Sequence, residues 1–359
     1  MTFSELGWWQ PFDLLDYFRA EFPESWIPAR VSFSSHEEFQ LLSPSGSHQG
    51  VLSGRIRFEA EEGGAWPVVG DWAAVLPNGN GPWVIQLVLP RSSTLYRGLA
   101  ERGEPDQIMA ANVDVALILS ALDNELNTRR LERYLYLVGA SRIRPIIVLN
   151  KADLHSDLEQ VQEVVRKVCA GADVHVISAQ TGSGVDELSA AIQPAQTAVL
   201  LGSSGVGKST LLNRLIGAEQ QRTSPVRESD SKGRHTTTHR QLIPMPLGWV
   251  MIDMPGIREV GLPGGEESRM ESAFPEIEAW SAECRFPDCS HVGEPGCRVL
   301  EAIEMGELQG DRLASYQKFL REIAFQHRRG NKQAELQEKA RWKTIHKEQG
   351  KIYKKGKHL

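Results

Sequence analysis

One octapeptide constrains the fold more than any other feature of this 359-residue chain. Residues 202–209 read Gly-Ser-Ser-Gly-Val-Gly-Lys-Ser, and they stand between the apolar run 198–201 and a segment with leucines at helical spacing. A glycine-rich turn from a strand into a helix directs backbone N–H groups at phosphate oxygens, and the helix N-terminus adds its positive dipole end. The alternative is a structural glycine-rich turn. The flanking pattern favours a phosphate-binding loop in an α/β domain.

A second motif predicts the base of the nucleotide. Residues 150–153, Asn-Lys-Ala-Asp, follow the apolar strand 145–149 and therefore emerge at the carboxyl edge of a parallel sheet. The Asp153 carboxylate can accept hydrogen bonds from N1–H and the N2 amino group of guanine, an edge that adenine lacks, and the Lys151 stem can cover the ring. After the strand 174–177, Ser178 is followed by Ala179, whose N–H could donate to guanine O6. Either peptide alone is weak evidence, but with the phosphate loop they predict a guanine nucleotide.

Two further segments complete the predicted site. Asp253, after the strand 249–252, can hold Mg²⁺ through water, and the N–H of Gly256 can sense the γ-phosphate. Lys208 is expected to reach the β- and γ-phosphates and Ser209 to bind Mg²⁺. A threonine triplet, residues 236–238, follows the polar segment 220–235, and we predict that Thr237 closes on Mg²⁺ when GTP is bound, with a β-prone segment as the alternative.

The residue after Gly256 is Ile257, where Ras-type GTPases place a water-orienting Gln nearby. We therefore predict slow intrinsic hydrolysis that a partner accelerates. His235 is the predicted water-orienting group, and a solvated loop histidine is the alternative. The predicted catalytic residues are His235 and Thr237, the Mg²⁺ ligands are Ser209 and Thr237, and the nucleotide-binding residues are Asn150, Lys151, Asp153, Ser178, Ala179, Gly202, Ser203, Ser204, Gly205, Val206, Gly207, Lys208, Ser209, Thr210, Asp253 and Gly256.

The order of these motifs is unusual. Asn150 comes 52 positions before Gly202, whereas the ordinary GTPase order has the phosphate loop first and the base-recognition motif last. The alternation of apolar strands and helices from residue 113 onward predicts a parallel sheet covered by helices. We therefore expect a circularly permuted sheet, with the nucleotide-sensing segments close to the carboxyl end of the domain.

The stretch from residue 29 to about 90 has a different pattern, in which short segments of alternating apolar and polar residues are separated by turn residues. Residues 51–59 alternate in period two, with Leu52, Ile56 and Phe58 on one face, and predict a strand. The segments 68–76 and 83–89 continue this pattern. About five strands favour a small barrel of the oligonucleotide-binding (OB) type, and a generic small β domain is the alternative.

Three of the four cysteines lie close together near the carboxyl end. Cys284, Cys289, His291 and Cys297 offer three thiols and an imidazole, a set that suits tetrahedral Zn²⁺ in a structural role. Buried or redox-active thiols are the alternative. Cys169 stands apart at a predicted helix end, where packing is its expected role.

Charge and composition limit the class of protein. Hydrophobic residues at 41% and charged residues at 24% exclude a wholly disordered, collagen-like or membrane-embedded chain. The first fifteen residues carry Glu5 and Asp13 and no basic residue, so no secretory signal is expected and the cytoplasm is the expected location. From residue 321 the chain carries about +8, against a net charge of −6 for the whole. This tail favours a polyanionic partner, with a solvated arm as the alternative.

Over residues 29–320 the chain resembles the circularly permuted GTPases called ribosome-small-subunit-dependent GTPase A. The resemblance includes Gly70-Asp71-Trp72, the pattern Arg91-x-Ser93-x-Leu95-x-Arg97, the permuted motifs and the cysteine spacing. It implies a multidomain fold: a small all-β OB-type barrel, a circularly permuted α/β P-loop GTPase domain, and a mostly helical zinc-binding domain with a basic C-terminal tail. The predicted limits are 1–28 for an N-terminal lead, 29–97, 98–265, 266–320 and 321–359.

The resemblance also implies a GTP hydrolase that acts late in maturation of the small (30S) ribosomal subunit and is stimulated by it. GTP and GDP, Mg²⁺ and one structural Zn²⁺ are the implied ligands. The small subunit and its ribosomal RNA are the implied partners, with no membrane, and we expect a monomer. Two alternatives stay open: a GTP-sensing RNA-binding regulator, in which binding matters more than turnover, and a GTPase that carries zinc in its cysteine cluster.

Overall fold

The structure, a computed structural model, describes residues 1–8, 14–35, 38–62, 66–97, 107–122, 126–139, 141–155, 157–169, 171–221, 240–254, 270 and 273–325. The strands are β1 (Ile27–Ser34), β2 (Phe39–Ser43), β3 (Gly46–Leu52), β4 (Trp72–Leu76), β5 (Trp83–Val88), β6 (Thr94–Arg97), β7 (Gln107–Ala111), β8 (Val115–Ala121), β9 (Arg144–Asn150), β10 (Asp173–Val176), β11 (Thr197–Gly202), β12 (Gln241–Pro244) and β13 (Val250–Asp253). The helices are α1 (Leu14–Glu21), α2 (Gly54–Glu61), α3 (Thr128–Gly139), α4 (Leu158–Val168), α5 (Val185–Ala190), α6 (Lys208–Gln221), α7 (Pro275–Ser281), α8 (Arg298–Glu304) and α9 (310–325).

The first five strands close into a barrel. They pair in the order β1-β2-β3-β5-β4, and β4 pairs back onto β1. Alternate side chains fill the interior, among them Val31, Leu41, Val75 and Ile85, each fully buried. The predicted OB-like barrel is confirmed, because closure of five short strands leaves no free edge among them.

The prediction of a strand over residues 51–59 is wrong beyond Leu52. β3 ends there, and α2 begins after Ser53, whose hydroxyl accepts a hydrogen bond from the backbone N–H of Ile56. Ile56 and Ala60 are buried at helical spacing, whereas Phe58 is 65% exposed. The period-two pattern was misleading because a serine N-cap and a four-residue spacing of small apolar groups also fit a two-turn helix.

A second part of the same sheet carries the predicted phosphate loop. Its strand order is β10-β9-β8-β11-β13-β12, and neighbouring strands run parallel except for the antiparallel pair β12–β13. The predicted strand and helix alternation is confirmed. Because β9, β10, β11 and β13 end at one edge, their following loops meet there.

The barrel and this parallel sheet form one continuous sheet, which the sequence did not predict. β1 pairs with β12 through Phe33 and Gln241. Beside this junction Arg30 is fully buried, and its guanidinium donates to the carbonyl oxygens of Leu6, Gly70 and Asn112 and to Thr197 Oγ1.

Arg30 is a cation at neutral pH, since burial lowers its pKa only to about 10 while the carboxylates of Asp114 and Asp71 favour the charged form. Gly7 allows its close approach, because a Cβ at this left-handed position would meet Arg30 Nη1 at 1.8 Å. Arg30 therefore joins the N-terminal segment, the barrel and the start of β11.

The two family-specific motifs of the barrel contact each other. Arg91 Nε and Nη2 donate to the two carboxylate oxygens of the buried Asp71, each at 2.7 Å. Ser93 Oγ donates to Val113 O at 2.6 Å, just before β8. This bidentate ion pair links the Gly-Asp-Trp turn to the segment that begins at Arg91.

The described chain divides into two compact units, one of which comprises Met1–Tyr96, Ile108–Val260 and Arg269–Ala279 and the other Arg97–Gln107, Gly261–Ser268 and Trp280–Leu359. The second unit carries α8 and α9, so the predicted helical region around the cysteines is confirmed.

Within the described ranges no helix is long and apolar enough to cross a membrane. Most of the basic tail, residues 326–359, lies outside the described residues. The predicted domain limits stay a prediction.

Candidate nucleotide-binding and metal sites

The predicted phosphate loop joins the end of β11 to the start of α6. Gly205 and Gly207 adopt φ angles of +84° and +96°, which side chains rarely allow, so glycine is needed for the loop to turn. Lys208 Nζ donates to the carbonyl oxygens of Gly202 at 2.8 Å and Ser203 at 2.7 Å. In this arrangement the lysine lies over the loop, where a phosphate can exchange for the carbonyl groups.

The charges around Lys208 fit a triphosphate and its cation. Burial lowers the pKa of Lys208, and the carboxylate of Asp253 at the end of β13 opposes that shift. Ser209 and Thr210 are exposed in the first turn of α6. A lysine, a hydroxyl and a carboxylate therefore surround the helix N-terminus, and oxygen ligands of this kind are what Mg²⁺ prefers.

Asn150 links the base-recognition loops to the phosphate loop. It is 2% exposed at the end of β9, and its Nδ2 donates to Val206 O at 2.8 Å. Its Oδ1 accepts from the backbone N–H of Ala179 at 2.9 Å. Gly207 lies directly against it, because a Cβ there would meet Asn150 Nδ2 at 2.3 Å. Segments far apart in the chain thus meet at one side chain.

Asp153 lies at the exposed rim of this arrangement, and a hydrogen bond from Ser178 holds its carboxylate in place. Ser178 Oγ donates to Asp153 Oδ1 at 2.5 Å and also accepts from the backbone N–H of Thr181 at 3.1 Å. Lys151 has a left-handed backbone, with φ of +68°, which turns the chain from β9 toward Asp153. Asp153 is itself exposed, so its carboxylate is accessible to a base edge.

Three residues near the site were missed by sequence reasoning. Arg214 on α6 donates to Gln180 O at 2.6 Å and to Ala179 O at 3.4 Å, which fixes the loop after β10. Arg130 and Tyr134 on α3 line a cleft of about 200 Å³ beside the phosphate loop. These are ordinary helix residues in the sequence, and no motif marked them.

His235, Thr237 and Gly256 lie outside the described residues. Their assigned roles, in orienting water, binding Mg²⁺ and sensing the γ-phosphate, stay predictions.

Among the described residues, Cys284, Cys289, His291 and Cys297 form a group that could hold a metal ion, with all ligand atoms within 4.8 Å of one another. His291 Nδ1 lies 3.8 Å from Cys284 Sγ and 3.4 Å from Cys297 Sγ. Tetrahedral Zn²⁺ with Zn–S of about 2.3 Å and Zn–N of about 2.0 Å places its ligand atoms roughly 3.5–3.8 Å apart. The donor set and its spacing fit zinc with no open position.

Hydrogen bonds fix the loop that carries the cysteine and histidine ligands. The Glu294 carboxylate accepts from the backbone N–H groups of Ser290 and Val292, both at 2.9 Å, and these bonds with the Ser290 hydroxyl hold the pKa of Glu294 well below its usual range. Gln317 Nε2 on α9 donates to His291 O at 3.1 Å. Desolvation raises the pKa of the Cys289 thiol to about 11, so a cation is needed to keep this sulfur a thiolate at neutral pH.

We expect one tightly held zinc ion per chain, and the Cys297→Ser substitution should reduce the zinc content to near zero, because it removes a buried ligand. Metal content after dialysis measures this directly. The matched control is Cys169→Ser, which removes a buried thiol remote from the cluster and should leave the zinc content unchanged. Equal zinc content in both variants would contradict a site at these four residues, and exchangeable metal in an intact fold would favour a zinc carrier.

A phosphate loop after β11 with base-recognition loops after β9 and β10 defines a P-loop GTPase, and their order along the chain makes it a circularly permuted one. The family model described as RsgA GTPase matches residues 88–263. "Small ribosomal subunit biogenesis GTPase RsgA" of Opitutus terrae is 42% identical over 97% of both chains. The protein of that name from Syntrophotalea carbinolica is 40% identical over 99% of this chain and 98% of its own. The chain belongs to the RsgA GTPase family and is a GTPase, a hydrolase.

Two solved structures share the fold. The crystal structure of YjeQ from Thermotoga maritima matches with a TM-score of 0.64 and 27% identity, covering 83% of this chain and 98% of that one. YloQ, described as a circularly permuted GTPase, matches with a TM-score of 0.62 and 27% identity, covering 84% of this chain and 96% of that one. These matches confirm the permuted fold predicted from motif order.

Proposed function

We propose that this GTPase is a late-stage maturation factor of the small (30S) ribosomal subunit, that the subunit stimulates its GTP hydrolysis, and that the bound nucleotide controls docking and release. The names of the near-full-length relatives support the choice of partner. Ribosomal RNA is a polyanion that suits the basic segment after residue 320. In this proposal the protein works as a cytoplasmic monomer.

The double hydrogen bond of Asn150 is the observation that supports the GTP-binding part of the proposal. Because one buried side chain holds both Val206 O and Ala179 N–H, a base at Asp153 and a triphosphate at Lys208 belong to one molecule of GTP. Asp153 would accept from guanine N1–H and the N2 amino group, and Lys208 would exchange its carbonyl partners for phosphate oxygens. The Ala179 N–H, already bonded to Asn150, would be shared with guanine O6.

The reaction is the hydrolysis of GTP to GDP and phosphate. The oxygen of a water molecule attacks the γ-phosphorus, the bond from the γ-phosphorus to the β–γ bridging oxygen breaks, and that oxygen keeps the electron pair as part of GDP. The proton of the water passes to the phosphate. Lys208 stabilises the charge on the phosphate oxygens, and His235 is proposed to orient the water.

Mg²⁺, when bound, neutralises charge on the β- and γ-phosphate oxygens. Ser209 and Thr237 are proposed to hold it, with Asp253 acting through water. The exposed Ser209 hydroxyl and the carboxylate of Asp253 near Lys208 fit that role.

The test measures single-turnover GTP hydrolysis with purified small subunits, with large subunits and with neither. We expect stimulation of about tenfold or more by small subunits alone, because a partner that orders the catalytic loop raises turnover strongly. Co-sedimentation should retain the protein on small subunits with a non-hydrolysable GTP analogue and release it with GDP.

The other outcomes distinguish the proposed function from its alternatives. Equal hydrolysis under all three conditions with analogue-dependent retention favours a GTP-sensing regulator. Equal retention on small and large subunits contradicts the proposed partner. For late action, nearly complete precursor particles should stimulate hydrolysis and free ribosomal RNA should not.

A further inference from the structure

The cleft of about 200 Å³ beside the phosphate loop contains residues that none of the sequence motifs includes. One wall is the phosphate loop from Ser203 to Val206, another is the end of β8, and the third is the start of α3 with Asn127, Arg130 and Tyr134. The space therefore opens onto the phosphate loop beside the end of β8, and the N-terminus of α3 borders it.

Arg130 is the cation in this wall. It is the third residue of α3, and its backbone N–H donates to Asn127 Oδ1 at 3.0 Å, which fixes the start of the helix. Its side chain is exposed and crosses to the phosphate loop, where Nη1 donates to Ser203 Oγ at 3.0 Å. The neighbouring Arg129 is also exposed but does not line the cleft.

The contacts of the loop show which part of a nucleotide lies near Arg130. Asn150 and the base-recognition loops contact the loop at Val206 and Gly207. Lys208, the residue for the β- and γ-phosphates, contacts it at Gly202 and Ser203. Ser203 is thus at the terminal-phosphate end, and two cations, Lys208 and Arg130, converge on it.

We propose that Arg130 is a catalytic residue of the GTPase reaction, supplied by the same chain. When GTP binds, its guanidinium exchanges Ser203 Oγ for the oxygens of the γ-phosphoryl group. As the bond to the bridging oxygen breaks and negative charge redistributes, Arg130 donates hydrogen bonds to those oxygens in the transition state. Arginine suits this task because its planar group carries five donors and keeps its charge.

The size of the effect follows from the position of Arg130. An arginine that reaches the transition state accelerates GTP hydrolysis by about 10³–10⁵-fold in other GTPases. Here the side chain is exposed and screened by water, so we expect a smaller factor of about 10–100-fold. The inference rests on the proposed placement of GTP but not on the ribosomal partner.

The experiment uses the full-length protein without ribosomes. Single-turnover hydrolysis and GDP binding, with and without aluminium fluoride as a mimic of the transferring phosphoryl group, are measured for Arg130→Ala, Arg130→Lys and Arg129→Ala. Arg130→Ala should lower kcat by about 10–100-fold, change KM by less than about threefold and abolish the extra affinity that aluminium fluoride gives to GDP. Arg130→Lys should be intermediate, and Arg129→Ala should behave like the parent.

Three results would overturn the inference. The first is an unchanged kcat in Arg130→Ala. The second is an effect of Arg130→Ala that is confined to KM or is no larger than its loss of GDP affinity. The third is a decrease of kcat in Arg129→Ala equal to that in Arg130→Ala. Hydrolysis by the parent protein is the reference in every case. A parent that hydrolyses GTP but is not stimulated by small subunits therefore contradicts only the proposed function.

Discussion

Replacing Arg30 with methionine should lower the stability of the first unit by about 3–5 kcal/mol. Methionine fills a similar volume but cannot donate, so the carbonyl oxygens of Leu6 and Asn112 and the hydroxyl of Thr197 lose a donor in a buried place. The carboxylates of Asp71 and Asp114 lose a neighbouring cation as well. Leaving buried polar groups without a partner costs more than the net gain from making the bonds.

The unfolding midpoint, followed by circular dichroism during heating, should fall by roughly 10 °C for a unit of this size. The matched control is Arg57→Ala, which removes an exposed arginine of the barrel helix α2 and should leave the midpoint nearly unchanged. A small shift for Arg30→Met, equal to that of the control, would show that the buried cation is dispensable to the junction.

The fold was largely predictable because its strongest signals are local. Buried strands with apolar runs, such as β8 and β9, and helices such as α3 and α4 follow directly from hydrophobic periodicity. Motif order then predicted the permutation. The helix α2 was missed since a short segment with Ile56 and Ala60 fits both periods, and only the serine cap decides between them.

The junction of barrel and parallel sheet could not be predicted. A fully buried arginine looks like a surface residue in a sequence, because its burial depends on acceptors from 24 to 167 positions away. The pairing of Phe33 with Gln241 likewise joins segments that no local pattern connects.

For the nucleotide site, sequence motifs predicted which residues bind base and phosphate, but not the contacts that hold these residues in place. The assignment of Asn150 to the nucleotide stays a prediction, and the sequence did not predict its bonds to Val206 and Ala179, 56 and 29 positions away. Arg130 was missed because its contact with Ser203 spans 73 positions. Supporting contacts of this kind follow from the meeting of strand ends, which only the assembled sheet reveals.

The substitution Asp153→Asn should change which base the protein binds. Guanine offers two donors to the Asp153 carboxylate, N1–H and the N2 amino group, whereas xanthine carries an oxygen at position 2. An asparagine amide can accept from N1–H and donate to that oxygen, so it matches xanthine and clashes with the guanine amino group. With guanine, the asparagine exchanges two hydrogen bonds to a charged acceptor for one bond to a neutral acceptor and a donor–donor contact, which costs about 3–5 kcal/mol, or roughly 10²–10⁴-fold in affinity.

Asp157→Asn is the matched control. Asp157 lies four residues further along, and its side chain accepts from the backbone N–H of Gln160 at the start of α4. Asparagine caps a helix as well as aspartate does, so this variant should keep both stability and base preference.

In the proposed site, one guanine nucleotide is bound by Asp153 at its base and by Lys208 at its phosphates, although the two residues lie in inverted order along the chain. Calorimetric titration of the parent, Asp153→Asn and Asp157→Asn with GDP, ADP and xanthosine diphosphate tests it most directly. We expect GDP to be preferred by the parent and the control, and xanthosine diphosphate by Asp153→Asn. If Asp153→Asn binds GDP as tightly as the parent does, or if ADP competes equally with GDP, the claim is contradicted.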